Sequence, residues 1–443
     1  MFVVLRGEEV TEAIPEFETL LVSSVLLGLV VIYLASKVGG ELANRFKFPP
    51  VLGELLGGTL IGVSAFHLIA FSGEGSTVLD IVQWTEGMDA VAKAAVAKTQ
   101  GEVLSVLSEL GVIILLFEIG LESNLRQLVR VGPQALVVAC VGVVLPFAAG
   151  TAGLMLIFHL SAIPAVFAGA ALTATSIGIT SRVLSELGRL NSPEGQIILG
   201  AAVIDDVLGV IVLAVVASLA KTGEIKVTQV IWLIASAVLF LGGSLVLGRV
   251  FNLSFVAIAK RLRTRGGILI PAAILAFLMA YIGAALRLEA ILGSFAAGLV
   301  LDESDERNEL DELVRPVADI FVPIFFVGVG ARTDVSVLNP FNPDNWAGLT
   351  IASFLIVVAV IGKVATGWSV FGKPGINRLA VGFGMIPRGE VGLVFAGVGA
   401  GSGVLSPALN AGIIVMVILT TFVAPPLLRL AFGKNESPEA VTP

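Results

Sequence analysis

Long apolar stretches, separated by short polar connections, run along almost the whole chain and predict membrane-spanning helices. A helix needs about 20 predominantly apolar residues to cross a bilayer. The apolar runs are continuous and do not alternate with polar residues, which excludes an outer-membrane barrel. Hydropathy therefore predicts an all-α polytopic membrane protein with about thirteen spans. The predicted spans lie near 18–38, 50–71, 104–122, 132–158, 163–188, 196–220, 228–250, 267–287, 289–302, 317–331, 347–371, 375–401 and 406–432.

Composition supports this class of protein. Of 443 residues, 56% are hydrophobic and 14% are charged, whereas a soluble protein carries about a quarter charged residues. Cys140 is the single cysteine and His67 and His159 are the only histidines, so neither a disulfide framework nor a thiolate or histidine metal site is predicted. We expect no cofactor and no nucleic-acid partner. The expected surroundings are membrane lipid.

The positions of lysine and arginine predict the orientation of the chain. Cytoplasmic loops of membrane proteins carry an excess of these residues, and here the loops from odd to even spans are the richer ones. The N-terminus is therefore expected outside and the C-terminus in the cytoplasm. The membrane is the plasma membrane by default, or an internal energy-coupling membrane. The richer loops contain Arg45, Lys47, Arg126, Arg130, Arg182, Arg189, Lys260, Arg261, Arg263, Arg265, Arg307, Arg315, Lys373 and Arg378.

The longest polar connection is 72–103, and its sequence AVAKAAVAK is interpreted as a short interfacial helix.

An internal repeat is visible in the sequence. PPVLGELLGGTLIG (49–62) is similar to LEAILGSFAAGLVL (288–301), and TATSIGITSRVL (173–184) occupies the place of MIPRGEVGLVFA (385–396). Spans 1–6 thus correspond to spans 8–13, and this odd shift makes the repeats inverted, as in secondary transporters. The predicted division is a first repeat at 1–220, a linker helix at 221–265, a second repeat at 266–432 and a short cytoplasmic tail at 433–443.

Two adjacent aspartates, Asp205 and Asp206, lie near the middle of the apolar span between Gly195 and Ala220. An ionised carboxylate in this position costs about 2.5–3.5 kcal/mol on insertion scales, and two neighbouring carboxylates repel each other. Packing does not account for such a pair. It indicates a site for protons and cations.

Spans 5 and 12 are both predicted to be broken. Thr175 and Ser176 belong to a hydroxyl-rich run that weakens the helix of span 5 and offers oxygen ligands, although hydroxyls also bond to their own helix. The corresponding part of span 12 contains Pro387, which removes a backbone donor. Interruptions at matching positions of two repeats are the best sequence indication of a transport site.

Three further charged residues lie within apolar spans. Lys363 needs an anionic partner or must lose its proton, unless it reaches the cytoplasmic surface. Arg388 and Glu390 are two positions apart and do not face each other on a regular helix. We expect them, with Pro387, to hold the broken segment in place.

These motifs together resemble the monovalent cation:proton antiporter-2 family, the Kef and NapA type exchangers of sodium or potassium for protons, distantly related to NhaA. The resemblance covers nearly the whole chain. It implies thirteen helices, two crossed broken helices, a core domain of spans 4–6 and 11–13, and a dimer domain of spans 1–3 and 8–10 in a homodimer. The Kef systems also carry a cytosolic nucleotide-binding domain, and no such domain is expected here.

The resemblance also implies roles for individual residues. Asp206 is similar to the family's carrier of cation and proton, and Asp205 to the aspartate that pairs with a lysine, here Lys363. Thr175 and Ser176 are similar to the cation-coordinating oxygens. An aspartate at 205 together with Lys363 resembles the electrogenic members of the family.

The resulting expectation is a non-enzymatic antiporter that exchanges Na⁺, with Li⁺ or K⁺ as alternatives, for H⁺ by alternating access. A K⁺/H⁺ antiporter or Kef-like efflux system would share every motif, and a cation channel is a further alternative. An intramembrane aspartyl protease needs aspartates on separate helices, whereas Asp205 and Asp206 point about 100° apart on one helix.

Overall fold

The computed structural model describes residues 9–71, 75–222, 227–240, 242–243, 267–302, 307–333, 339–388 and 390–433. Within these ranges all regular structure is helical, which confirms the all-α prediction for this part of the chain. In the described residues, 7 helices are long and apolar enough to cross a membrane.

The helices are labelled in chain order. The first eight are α1 (Glu9–Arg45), α2 (Pro50–Ile61), α3 (Thr77–Glu86), α4 (Ala90–Glu122), α5 (Leu125–Leu156), α6 (Ala162–Ala171), α7 (Ile177–Glu186) and α8 (Pro193–Thr222). They are followed by α9 (Val227–Phe240), α10 (Leu269–Ala285), α11 (Ala290–Asp302), α12 (Arg307–Ala331), α13 (Trp346–Thr366), α14 (Arg378–Gly384), α15 (Glu390–Gly401) and α16 (Pro407–Phe432).

Two predicted elements have different bounds in the structure. The span predicted at 50–71 is helical only to Ile61, because Gly62 ends α2 and the chain then turns, with His67 at a positive φ of 48°. The AVAKAAVAK segment is not a separate interfacial helix. It forms the first turns of α4, since an alanine- and lysine-rich sequence has high helix propensity and no proline separates it from the following span. The short helix of this region is α3, whose N-terminus is capped by Ser76.

The two spans predicted to be broken are each divided into two short helices. Span 5 forms α6 and α7, and 172–176 between them is non-helical; span 12 forms α14 and α15. Near the first interruption the hydroxyl of Thr173 donates to the carbonyl of Ala170, which offers the backbone an alternative to continued helix. In the second, Pro387 lacks the N–H that a continuous helix would use.

The chain divides into two compact units. One comprises 1–112 and 318–336, and the described part of its core is formed by side chains from α1, α2, α3, α4 and α12. The other comprises 113–317 and 337–443; in it α5 packs on α8 and α13 packs on α16. The predicted division into repeats at 1–220 and 266–432 stays a prediction.

In the first unit, α1 and α2 approach so closely that glycine is required at the contact. A Cβ atom on Gly39 would lie 2.8 Å from the carbonyl carbon of Gly53 and even closer to its oxygen. Such small-residue contacts let helix backbones pack directly in lipid. The neighbouring Gly40 is different, because its Cβ would come no closer than 3.7 Å to any atom.

Gly39→Ala is therefore expected to lower the free energy of unfolding by about 1–3 kcal/mol, the usual effect of overpacking. The measurement is the thermal unfolding midpoint of the purified protein in detergent. Gly40→Ala is the matched control, and its midpoint should stay equal to or slightly above that of the wild type. Equal midpoints for both variants would contradict the close contact.

Candidate cation-binding site

Helix α8 carries the two aspartates into the interior of the second unit. Asp205 is 0% exposed and Asp206 is 3% exposed. No other charged residue lies between Glu194 and Lys221, so the surrounding turns of α8 are apolar. Carboxylates in such surroundings require compensating charge or hydrogen bonds.

Lys363 supplies compensating charge to Asp205. Its Nζ lies 3.0 Å from Oδ2 of Asp205, and both side chains are fully buried. Gly142 of α5 makes room for the lysine, because a Cβ atom there would lie 3.2 Å from Nζ. Lys363 thus does not extend to a surface. It stands in the last turn of α13, with electrostatic interactions that also reach Asp206 and Arg388.

The two interruptions bond directly to each other. The backbone N–H of Ser176 donates to the carbonyl of Pro387 at 2.8 Å, and the hydroxyl of Thr175 donates to the carbonyl of Met385 at 3.2 Å. Non-helical backbone is tolerated at membrane depth when it is satisfied inside the protein. The structure therefore brings Thr175, Ser176 and Pro387 together.

Arg388 extends from the second interruption to the first. Its Nη1 donates to the carbonyl of Thr173 at 2.9 Å and also to that of Ala174. The hydroxyl of Thr421 on α16 donates to the backbone carbonyl of Arg388. Arg388 thus satisfies two backbone carbonyls of the unwound segment by hydrogen bonding. Glu390 begins α15, and its side chain lies outside the described residues.

Oxygen atoms suited to a cation lie among these groups. In the described part of the chain, Oδ1 of Asp205 and Oγ of Ser176 are buried without a hydrogen-bond partner. The Thr175 hydroxyl uses its proton on Met385, so its oxygen lone pairs remain available. Hard cations prefer carboxylate, carbonyl and hydroxyl oxygens as ligands.

The formal charges of the site balance. Asp205, Asp206, Lys363 and Arg388 are all at most 3% exposed, and two negative and two positive charges sum to zero when all four are ionised. Arg388 interacts electrostatically with Asp205. A cation entering this site adds one positive charge to a region of low dielectric, where uncompensated charge is strongly unfavourable. Loss of a proton restores the balance.

Two further hydroxyls, which the sequence did not identify as functional, also hold the interruptions in place. Thr180 on α7 donates to the carbonyl of Gly384 at 2.9 Å, and Thr421 holds the backbone of Arg388. Thr180 belongs to the hydroxyl-rich run of span 5, and this run was the sequence feature that could have identified it. Thr421 lies in an apolar stretch of span 13 with no neighbouring motif, so nothing in the sequence distinguished it.

Comparisons with known proteins agree on one family. The model of the family described as sodium/hydrogen exchanger, transmembrane, matches residues 19–432. The high-affinity Na⁺/H⁺ antiporter NhaS3 of Synechocystis sp. is 59% identical over 436 residues, which are 97% of this chain and 95% of that protein. The Na⁺/H⁺-K⁺ antiporter GerN of Bacillus cereus is 32% identical over 409 residues, covering 92% of this chain and 96% of that protein.

The fold is similar to that of a solved structure, the sodium proton antiporter MjNhaP1 from Methanocaldococcus jannaschii. The TM-score is 0.58 at 17% sequence identity, and the similarity covers 94% of this chain and 99% of that chain.

Removing one partner of the Lys363–Asp205 pair should destabilise the protein more than removing both. Asp205→Asn or Lys363→Gln leaves a buried charge uncompensated, which typically costs about 3–5 kcal/mol. In a double-mutant cycle of thermal unfolding in detergent, the double variant should be clearly more stable than the sum of the single effects predicts. The control is the Asp80–Lys93 pair, which has exposed fractions of 63% and 24% and should give a coupling of about 1 kcal/mol or less. Additive effects at 205 and 363 would contradict a buried ion pair.

Proposed function

The chain belongs to the sodium/hydrogen exchanger family, and we propose that it exchanges Na⁺ for protons by alternating access at Asp205 and Asp206. The observation that carries the proposal is the buried group of two aspartates and one lysine beside two bonded helix interruptions. The predicted resemblance to cation:proton antiporters is confirmed at the level of this family, whose members are transporters and not enzymes. No cofactor takes part in the proposed exchange, and the ions are its substrates.

Asp206 is the proposed carrier. In its ionised form it binds a dehydrated Na⁺ together with oxygens of Thr175 and Ser176, which lie at the first interruption. In its protonated form it is neutral and no longer attracts the cation. Proton and Na⁺ thus compete for one carboxylate, and this competition couples the two fluxes without a separate gate.

Lys363 and Asp205 are proposed to adjust the charge of the site. With no cation bound, their ion pair keeps the buried charges balanced. When Na⁺ arrives at Asp206, the lysine releases its proton, so that the site does not accumulate positive charge. A proton from Lys363 in addition to one from Asp206 makes the exchange electrogenic.

Arg388, Pro387 and Glu390 are proposed to be structural. The bonds from Arg388 to the carbonyls of Thr173 and Ala174 support this role, because they hold the unwound backbone in a fixed arrangement. Because these two carbonyls already accept hydrogen bonds from Arg388, they are not proposed as ligands of the cation.

The proposed architecture has thirteen spans in two inverted repeats. A core of spans 4–6 and 11–13 moves against a dimer domain of spans 1–3 and 8–10, and two copies of the chain form a homodimer in the membrane. The paired interruptions of spans 5 and 12 support the repeat, because they occur at corresponding positions and contact each other.

The chain is an integral multi-pass membrane protein, and we propose that its N-terminus is outside and its C-terminus cytoplasmic. Contacts at the end of α4 support the placement of the loops rich in lysine and arginine on one side of the membrane. Glu122 accepts a hydrogen bond from Ser185 at 2.9 Å, its backbone carbonyl accepts one from Asn191 at 2.9 Å, and its carboxylate lies 3.5 Å from Arg315. The plasma membrane is the default location, with an internal energy-coupling membrane as the alternative.

K⁺/H⁺ exchange is the second candidate function. Similarity to GerN, whose name includes K⁺, favours it, and the same oxygen ligands bind either ion. The size of the site decides between the two ions.

Exchange is tested with the purified protein in vesicles that carry an imposed pH gradient and a pH-sensitive dye. Addition of Na⁺ should collapse the gradient, with Li⁺ and K⁺ as parallel additions. Asp206→Asn should abolish the response because an amide neither takes up a proton nor supplies negative charge. Asp319→Asn is the control, since this aspartate is exposed on α12, and it should leave the response unchanged. A response that persists in Asp206→Asn would refute the proposed carrier.

Electrogenic exchange predicts that the rate depends on an imposed membrane potential. In the wild type, the rate of dye response should change when the sign of the potential is reversed. In Lys363→Gln, residual exchange should lose most of this dependence because one charge fewer crosses per cycle. Lys93→Gln removes a lysine on α4 outside the site and should behave like the wild type. A wild-type rate that is independent of potential would contradict the role of Lys363.

A further inference from the structure

A cavity of about 180 Å³ lies between α5, α8 and α11 of the second unit. We call it the apolar cavity, because every described residue that lines it is a glycine or has an apolar side chain. Helix α8 contributes Val203 and Ile204, which directly precede Asp205 in the chain. The exchange proposed above uses none of the lining residues, so the cavity is a separate feature of the same unit.

The lining determines what the apolar cavity can hold. A buried water molecule needs about two to four polar partners, and the described side chains around this cavity supply none. In other proteins, apolar cavities of about 150 Å³ stay dry and bind small apolar molecules. Hydrocarbon is therefore the chemistry that fits this cavity, and an ion does not fit.

The apolar cavity has a buried floor and an exposed rim. On α11, Phe295 is 2% exposed and Leu299 is 6% exposed, whereas Val129 on α5 is 58% exposed. Helix α5 is a candidate membrane span at Leu125–Leu156, and an exposed apolar residue on such a span is placed to contact lipid. Hydrocarbon of the bilayer can therefore enter beside Val129.

Gly132 on α5 leaves this entrance open. It lines the cavity, and a Cβ atom at this position would meet no atom within 4 Å. The lining glycine of α8, Gly200, is different, because its Cβ would lie 3.1 Å from the Cβ of Ala135. Gly200 thus serves the close packing of α8 on α5, whereas Gly132 borders open space.

Basic residues beside the cavity indicate the headgroup of the lipid. The lining residues of α5 run from Leu125 to Ala135, about 15 Å along the helix, which is long enough for part of an acyl chain. Arg126 and Arg130 lie in the first turns of the same helix and are exposed. Basic pockets between membrane spans bind acidic lipid headgroups. The charge at this end of α5 is thus complementary to an acidic phospholipid.

We propose that the apolar cavity binds one acyl chain of a membrane phospholipid with an acidic headgroup, whose phosphate lies at Arg126 and Arg130. The lipid site does not depend on the proposed transport function.

An effect of the lipid on transport does rest on that function. Helices α5 and α8 belong to the proposed core, and α11 belongs to the proposed dimer domain. A ligand shifts a conformational equilibrium towards the state that binds it better. An acyl chain between these helices stabilises their present arrangement and thereby lowers the rate of alternating access.

Binding is tested by native mass spectrometry of the purified protein after exposure to phosphatidylglycerol. The wild type should retain one phosphatidylglycerol per chain. Gly132→Leu should retain at least about fivefold less, because the leucine displaces buried methylene groups of the acyl chain. Its thermal unfolding midpoint without lipid should equal or exceed that of the wild type, since leucine has a higher helix propensity than glycine.

Two matched variants separate occupation of the cavity from other changes in α5. Gly132→Ala also raises helix propensity but leaves most of the cavity open, and it should retain phosphatidylglycerol like the wild type. Val144→Phe adds bulk at a position of α5 that is 62% exposed and does not line the cavity, and it should also behave like the wild type. Equal retention by the wild type and Gly132→Leu would overturn the acyl-chain site.

The headgroup is tested with phosphatidylcholine that carries the same acyl chains, and with glycerol phosphate, which has none. The wild type should retain at least about fivefold less phosphatidylcholine than phosphatidylglycerol. The exposed double variant Arg126→Gln/Arg130→Gln should retain both lipids equally. Equal retention of the two lipids by the wild type would overturn the acidic headgroup. Displacement of bound lipid by glycerol phosphate would show a phosphate site alone and would overturn the proposal.

The effect on transport is measured in vesicles at saturating Na⁺, so that lipid charge does not set the supply of cations. The wild-type rate should be about fivefold lower in phosphatidylcholine with phosphatidylglycerol than in phosphatidylcholine alone, and Gly132→Leu should give the same rate in both. A wild-type rate independent of phosphatidylglycerol would overturn this effect. If Gly132→Leu loses the lipid but the wild type shows no Na⁺-driven response in either vesicle, the proposed function fails and the lipid site stands.

Discussion

The balance of buried charge is the constraint on which the rest of the site depends. Asp205, Asp206, Lys363 and Arg388 are almost completely removed from solvent, where an uncompensated charge is far more unfavourable than in water. Each group therefore limits the charge that the others carry. In the proposed exchange, binding of a cation and loss of a proton are therefore parts of one electrostatic equilibrium. The same balance explains why a lysine with no surface exposure lies in the interior of an apolar helix.

Backbone hydrogen bonding imposes the second constraint. Interrupting a helix at membrane depth exposes carbonyl and N–H groups that lipid cannot satisfy. Here the two interruptions satisfy each other, through Ser176 with Pro387, Thr175 with Met385, and Arg388 with Thr173 and Ala174. The polar groups that weaken each helix are thus also the groups that hold the pair together.

Much of the fold and the site could be predicted from the sequence because apolar spans and buried charges leave strong local signals. Asp205, Asp206 and Lys363 are conspicuous in apolar runs, and Pro387 marks an interruption by itself. The pairing of Lys363 with Asp205 was implied only by family resemblance, since residues 158 positions apart give no local indication of contact. Thr421 could not be assigned, because its hydrogen bond to Arg388 joins residues of two different spans. The continuity of α4 was also missed, since hydropathy reports the apolar part of a helix and not its polar extension.

The hydrogen bonds between the interruptions also bear on how this site distinguishes ions of different radius. Thr175 and Thr180 attach the first interruption and the start of α7 to the carbonyls of Met385 and Gly384, so the proposed ligand oxygens of Thr175 and Ser176 are held to the second interruption. In the proposed site, such cross-links would resist expansion around a larger ion. Residues that do not touch the ion would then contribute to selectivity through the stiffness of the backbone that they hold.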